Sequence, residues 1–328
     1  MRITNNMIVN SYLTSFNSAL ERQNKLQEQL SDGKAIHRAS DDPVRAVRSL
    51  KYNTNLAENV QFDQNVKDAT SWMETTDSAI SEMNSIMTRA RELVVSADGT
   101  KSPEALQALG KELDGLIDAA VTIGNTQIGD RYLFAGQMDK TQPLTRTTIK
   151  NAAGESVEVV LYNGDNNKIS MVSQTGLVDP TQDSVNLTGV EAFGPADTTN
   201  ALDYTTSPTG EAVTTLKTLN DLIKVKNELL KASPDTTWLG STGLASVAEG
   251  HDYIIRAQTG LGARSASYEM ISNMLSNNNA TITENLSVNE DLDIASAIIA
   301  FKNSENVYNA ALAVGSKIMP QSLVDFLS

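Results

Sequence analysis

The sequence of 328 residues contains no cysteine, which removes disulfides, thiolate metal ligands and a thiol nucleophile. Its two histidines, His37 and His251, lie in different segments with no acidic cluster at ligand spacing, so neither a metal site nor an imidazole base is expected. Aromatic residues make up 5%, which suits long helices packed through thin seams better than a thick globular core. Positive charge is short as well: 26 Lys and Arg stand against 40 Asp and Glu, a formal charge of −14. With no basic cluster, nucleic acid is not an expected partner, because binding there rests on neutralising phosphates; an anionic membrane is disfavoured likewise. There is no apolar run of the roughly eighteen residues a membrane helix needs, and "MRITNNMIVNSYLTSFNSAL" lacks a signal-peptide core. The expectation is a soluble chain with no cofactor that, if exported, leaves without a cleaved signal peptide.

What is present is periodicity. From Phe62 the positions Val66, Ala69, Met73, Thr76, Ile80, Met83, Met87, Ala90, Val94 and Ala97 follow in alternating steps of four and three, a heptad seam. The preceding "ASDDPVRAV" supplies its start, with Ser40 or Asp41 able to cap and Pro43 suited to the first turn. "DGTKSPEALQAL" turns the chain, Ser102 and Pro103 opening a second helix with a seam through Leu106, Leu109, Leu113, Leu116, Ala120, Ile123 and Gln127. The short connection predicts an antiparallel helical hairpin. A third seam runs through Ile254, Ala257, Leu261, Arg264, Tyr268, Ile271 and Leu275. "NLSVNEDLDI" interrupts it, and a last one continues through Ile294, Ile298, Phe301, Glu305, Tyr308, Leu312, Gly315 and Met319.

Between residues 139 and 243 the composition shifts to Thr, Val, Gly, Asn and Asp. "ESVEVVLYNGDNNKISMV" reads as two strands about an Asn163-Gly164 turn, a helix is expected at about 211–232, and "ASPDTTWLGSTG" reads as a loop. "GDRYLFAG" marks the entry to this insert. Gly129 is expected to end the helix and Arg131, Tyr132 and Phe134 to anchor insert to helices, Tyr132 and Phe134 facing one way and Leu133 the other. The fold class is therefore mainly α with a β-rich insert: a discontinuous long-helix coiled-coil bundle built from both chain ends.

The first 40 residues carry a weaker seam, Val9, Leu13, Phe16, Leu20 and Leu30, interrupted by Gln23 and Gln27. Residues 1–51 hold eight Lys and Arg against five Asp and Glu, and residues 288–328 hold two against five, so the ends are complementary in charge. They bury too little to offset their ordering entropy and are expected to order against each other, or against neighbours, on assembly. The expected assembly interface is Val9, Leu13, Phe16, Leu20, Leu30, Ile298, Phe301, Tyr308, Leu312 and Met319. The organisation expected is 1–40 with 288–328 as terminal coiled-coil segments, disordered in the monomer; 41–138 with 244–287 as a helical rod; and 139–243 as an outer domain.

Enzymatic signatures fail on context. Ser31 and Lys34 match S-x-x-K, but Asp32-Gly33 between them reads as a turn. "TGLGAR" follows a helix, not the strand a phosphate loop needs. Asp41-Asp42 precedes a proline and reads as a cap. Met73, Met83 and Met87 read as packing. No catalytic, cofactor or metal residue is assigned.

"QLSDGKAIHRASDDPVRAVRSLK", "TRARELVVSADGT", "LGARSASYEM" and "NAALAVGSKIMPQSLVDFL" together resemble the paired terminal signatures of the flagellin superfamily, over about residues 1–138 and 244–328. "NTQIGDRYLFAGQ" is more similar to members at the hook-filament junction than to filament flagellins. The resemblance implies a structural, non-enzymatic subunit of the flagellar axial tube, made in the cytoplasm, exported unfolded by a type III route with a chaperone, and located extracellularly. Its implied partners are copies of itself in a ring, a second junction protein, and flagellin. A filament flagellin, or a type III effector with its site in the insert, are the alternatives.

Overall fold

The structure is a computed structural model describing residues 5–150, 156–170, 184–195 and 214–318. Its helices are α1 (Asn5–Asp32), α2 (Pro43–Ser96), α3 (Pro103–Gly124), α4 (Gly189–Phe193), α5 (Lys217–Leu229), α6 (Thr236–Trp238), α7 (Leu244–Glu290) and α8 (Ile294–Ile318). Its strands are β1 (Gln127–Ile128), β2 (Arg131–Tyr132), β3 (Leu144–Lys150) and β4 (Ser156–Tyr162). This is a long-helix bundle with small antiparallel sheets, the fold class expected. Packing groups the chain into one unit of Met1–Val60 with Ser276–Ser328 and another of Gln61–Leu275. The three-way division expected from the sequence stays a proposal about the assembled protein.

In the first unit α1 packs along α8. The cap of α2 is Asp42, which accepts from the Val44 and Arg45 amides at 3.0 Å each. Asp41, one of the two residues expected to cap, instead accepts from Lys25 Nζ at 2.7 Å and from the His37 and Arg38 amides. Lys25, then those amides, hold its carboxyl down to about 2. Proline at the first helical position costs nothing, because the N–H it lacks would be unpaired anyway. The helix interruption near the C-terminal end is shorter than expected: α7 runs on to Glu290, and Asp293 starts α8 by accepting from the Ala295 and Ser296 amides. Gly33, at φ +75°, turns the chain after α1, and its carbonyl accepts from the Leu292 amide at 2.8 Å. Two buried polar residues fasten this corner. Asn289 and Arg45 exchange side-chain to backbone hydrogen bonds, and Glu290 takes Lys34 at 3.0 Å along with Ser49.

The second unit is built on the α2 seam. Every predicted position from Val66 to Ala97 is buried, and so is a parallel stripe of Trp72, Ala79, Ile86 and Leu93. The third seam holds too, with Ile254, Ala257, Leu261, Tyr268 and Leu275 buried; half-buried Arg264 spends its guanidinium on Ser184 and Asn186. On α3 the expected Leu106, Leu113 and Ala120 are buried, but Gly110, Ile117 and Gly124 complete the buried line, and the expected Leu109, Leu116 and Ile123 are only half-buried against the core, a shift of one step on that side. The glycines explain the shift. A Cβ at Gly110 would lie 3.1 Å from Leu229 Cβ, and one at Gly124 2.2 Å from Leu144 Cδ1, so these bare positions let α5 and β3 approach closely.

Three local expectations are corrected. The hairpin pairs β3 with β4, from Leu144↔Tyr162 to Lys150↔Ser156, so Asn163-Gly164 follows the second strand instead of turning between two. Gly164 lacks the positive φ such a turn demands; its missing Cβ makes room for the Tyr162 ring, 2.6 Å from where that atom would sit. "ASPDTTWLGSTG" is largely helical: Asp235 accepts from the Thr237 and Trp238 amides, and a π turn at Leu239–Gly243 feeds directly into α7. Of the helix expected at 211–232, α5 occupies Lys217–Leu229, and residues 211–213 lie outside the described residues.

Candidate assembly surfaces

The α1–α8 pair uses a different line from the one its largest aliphatic side chains suggest. On α8 the covered positions include Ala297, Phe301, Ser304, Tyr308, Ala311 and Gly315, in steps of four and three, with the expected Glu305 half-buried beside them. On α1 they include Tyr12, Phe16, Ala19, Gln23, Leu26 and Leu30. Phe16 and Tyr308 stack with centroids 5.3 Å apart, Tyr12 donates to the Ala311 carbonyl at 2.8 Å, and a Cβ at Gly315 would lie 2.2 Å from the Tyr12 hydroxyl. Small residues on α8 thus admit the aromatics of α1.

The remaining expected positions divide accordingly. Phe16, Leu20, Leu30, Phe301 and Tyr308 are half-buried. Leu13, Ile298 and Leu312 stay 38%, 48% and 45% exposed, as do Ile294, Ile299 and Val307. Val9 lies on α1 but its side chain is outside the described residues, and Met319 lies outside them altogether. A pair of helices standing alone therefore covers its aromatic and small-residue line and leaves branched aliphatics facing out.

At the insert entrance the path of the chain differs from the one expected. α3 already ends at Gly124, because the Asn125 amide turns sideways onto Leu144, donating to its carbonyl and accepting its N–H at 2.9 Å each. Gly129, at φ +63°, sits in the two-residue turn between β1 and β2. Arg131 pairs with Asp139 and lays its guanidinium over the Trp72 ring at 5.4 Å. Tyr132 is half-buried, whereas Leu133, Phe134 and Ala135 are all fully buried, so the expected two-faced alternation fails. Its cause is crowding from both sides: Phe134 meets Phe193 edge-on at 5.6 Å, and its carbonyl accepts from the Tyr162 hydroxyl and the Gly189 amide at 2.9 Å each. Gly136, at φ +72°, lets Asp165 close over it. Burial pushes the Tyr162 hydroxyl up to about 12, so it stays a donor.

Two features here escaped the sequence reading. Asn220 does for β4 what Asn125 does for β3, accepting the Val160 N–H at 3.0 Å and donating to its carbonyl at 3.1 Å. Each amide stands in for one residue of a missing neighbour strand and closes an edge of a two-stranded sheet. The second feature is a charge network. Arg146 of β3 reaches Asp114 and Asp118 of α3 and Glu158 of β4, and buried Lys226 of α5 reaches Glu158 and Asp114. Burial pushes Asp114 and Glu158 up, but Arg146 and Lys226 outweigh it and both carboxyls titrate below their ordinary range. The spacing of Asp114 and Asp118, four apart on one helix face, was the available signal.

The chemical candidates resolve into structure. Lys34 is held protonated by Glu290, Asp32 binds the Lys34 amide and His37, and "TGLGAR" lies inside α7. His251 contacts Asn84; burial, then Arg91, push its pKa down. Among the described residues no group of three His, Asp or Glu is placed to hold a metal ion, and no helix is long and apolar enough to cross a membrane.

Residues 3–139 match the family model of the bacterial flagellin N-terminal helical region. Over 203 residues the chain is 28% identical to flagellar hook-associated protein 3 of Escherichia coli K12, covering 61% of this chain and 63% of that protein. It is 26% identical to flagellin of Bacillus subtilis 168 over 336 aligned residues that cover the whole of both chains. The chain spans less than two thirds of the hook-associated relatives it matches. Among solved structures, a putative flagellar hook-associated protein from Vibrio parahaemolyticus superposes with a TM-score of 0.59 at 17% identity, covering 76% of this chain and 99% of that one, a likeness of fold.

Proposed function

We propose, taking membership of the flagellin superfamily as the premise, that this chain is a structural subunit joining the flagellar hook to the flagellin filament. One observation carries the reading: α1 and α8 pair through aromatics and small residues while Leu13, Ile298 and Leu312 face outward. A surface of that kind is a cost in an isolated protein and a seam in an assembled one. On this reading those three, with Val9, Phe16, Leu20, Leu30, Phe301, Tyr308 and Met319, form the assembly interface. Arg131, Tyr132 and Phe134 anchor the outer region to the helices, and residues 1–40 and 288–328 take their final order on assembly.

The partners are further copies of the chain in a ring, the other junction protein towards the hook, flagellin on the far side and an export chaperone before that. Neither nucleic acid nor membrane takes part, and no reaction is catalysed. The chain is made in the cytoplasm, leaves by type III export without a cleaved signal peptide and resides in the extracellular flagellum. Similarity to hook-associated protein 3 of Escherichia coli supports the junction role. The end-to-end match to Bacillus subtilis flagellin supports a second reading, that of a filament subunit.

Deleting the gene separates the two. The junction reading expects bare hooks, with flagellin shed unpolymerised into the medium, and purified protein that does not grow long filaments, because an adaptor between unlike layers needs unlike contacts above and below. Normal filaments on the deletion strain, or filaments grown from the pure chain, would reject the junction role.

A further inference from the structure

The first turns of α2 present an apolar face that none of the described residues covers. Val44, Val47 and Leu50 are exposed, Leu50 at 69%. At 100° per residue Val44, Val47, Arg48 and Lys51 fall within about one third of the helix circumference. Ser49 and Asn53, which bind Glu290, occupy the opposite side, with Arg45, bound to Asn289, on the flank between. The exposed face is thus both apolar and basic, and no ion pair involves Arg48 or Lys51 among the described residues.

Further along, in the second unit, α2 and α7 flank a groove of ≈ 520 Å³. Met73 and Leu261 lie at its apolar base, and Glu74, Asp77 and Glu269 stand along its rims. None of these three acids has an ion pair among the described residues either. Gly262 lines the same groove, and a Cβ there would meet nothing within 4 Å. A glycine inside a helix costs about 1 kcal/mol relative to alanine, and no packing among the described residues requires one here. The bare backbone leaves room for something from outside.

We propose that this groove receives a second copy of the chain through the Val44-Val47-Arg48-Lys51 face of its α2. Valine side chains fill the space over Met73 and Gly262, while Arg48 and Lys51 meet the rim carboxylates. Because the face and the groove are different patches, each docked copy still offers the one it has not used. The contact is head-to-tail and closes into a ring or winds into a helix. The inference rests on the reading of the chain as a self-contacting axial subunit and names the surfaces by which it does so.

The absence of cysteine makes the test clean. Full-length Arg48→Cys and Asp77→Cys copies are mixed and oxidised, and their disulfide-linked dimer is compared with that of Arg48→Cys mixed with Lys111→Cys, a thiol on an exposed face of α3. The docked pair should cross-link at least about tenfold faster, from the raised local concentration of the two thiols. Adding Gly262→Leu to the Asp77→Cys copy, which fills the groove, should abolish that excess with no loss of thermal stability. Equal rates, or an excess that survives Gly262→Leu, would overturn the proposal. Bare hooks in the deletion strain together with control-level cross-linking would condemn the groove and leave the junction role standing. Fast cross-linking beside normal filaments would do the reverse.

Discussion

The α2 seam and the α1–α8 pair carry the same alternation of three and four, yet they end in different states. From Val66 to Ala97 every seam position is buried, because α2 is covered by α3, α5 and α7 elements that share one continuous core. In the α1–α8 pair even the best-packed aromatics, Phe16 and Tyr308, are only half-buried, and Leu312 is exposed. Periodicity names the face that a helix buries; how deeply it is buried depends on how many layers lie over it. A two-helix layer has one partner per residue, and the remaining branched aliphatics, Leu13, Ile298 and Leu312, stay exposed.

The largest effect should therefore come from charging the deep seam. Met83→Asp places an unpaired carboxylate where no water reaches, a change expected to cost more than about 4 kcal/mol and to abolish cooperative melting of the second unit. Circular dichroism and calorimetry read it directly. A near-normal melt would mean that the continuous core is not what holds this unit together.

Next in size is the network of Arg146 and Lys226. Lys226→Met leaves Glu158 half-paired in a partly buried site, and roughly 3 kcal/mol is expected at neutral pH, less for the share of solvent-exposed Asp114. The pH dependence has a definite sign. Asp114 and Glu158 titrate below their ordinary range in the folded chain, so the stability they contribute is complete above that range and lost as pH falls through the depressed values. The gap between wild type and Lys226→Met should accordingly shrink on acidification. A gap constant from neutral to strongly acid pH would show that Lys226 acts by packing alone.

Asn125→Ala and Asn220→Ala come third. Each strands one N–H and one C=O at a sheet edge, for about 1–3 kcal/mol, measured by denaturant midpoint. Asn220 is the more buried and should cost more; equal, negligible losses would mean that water satisfies both edges.

These residues also show where reading the sequence stops. The seams of α2 and α7 were legible because helical period survives any tertiary context, and so was the importance of the "GDRYLFAG" stretch, since large residues crowded beside glycines have to pack somewhere. Asn125 and Asn220 were not legible: their partners, Leu144 and Val160, are 19 and 60 residues away, and an asparagine looks the same whether it faces water or a strand. Gly164 misled because a glycine serves a turn and a close approach equally well. The pairing line of α8 was legible only in part, at Phe301, Tyr308 and Gly315, for a related reason. Ranking by side-chain size favours Ile298 and Leu312, while close helix contact selects Ala297 and Ala311.

The smallest effect on stability is expected at Leu312, and it makes the comparison sharpest. Leu312 lies one position past Ala311 on α8, off the line that faces α1, and is 45% exposed. Leu312→Asp buries no new charge in the isolated chain, so its melt should stay within about 0.5 kcal/mol of wild type, the range of ordinary surface changes. In an assembled wall the same carboxylate would be enclosed by a neighbour with nothing to pair it, a cost of several kcal/mol repeated at every subunit. On the proposed junction role, export into the medium should continue while incorporation into flagella is lost, which immunoblots of sheared flagella and culture supernatant distinguish. Ala311→Asp supplies the opposite case: beside Tyr12 it should loosen the α1–α8 pair itself. If Leu312→Asp melts as badly as Ala311→Asp, Leu312 belongs to the chain's own packing; if it incorporates normally, the outward aliphatics of α8 are not the assembly seam.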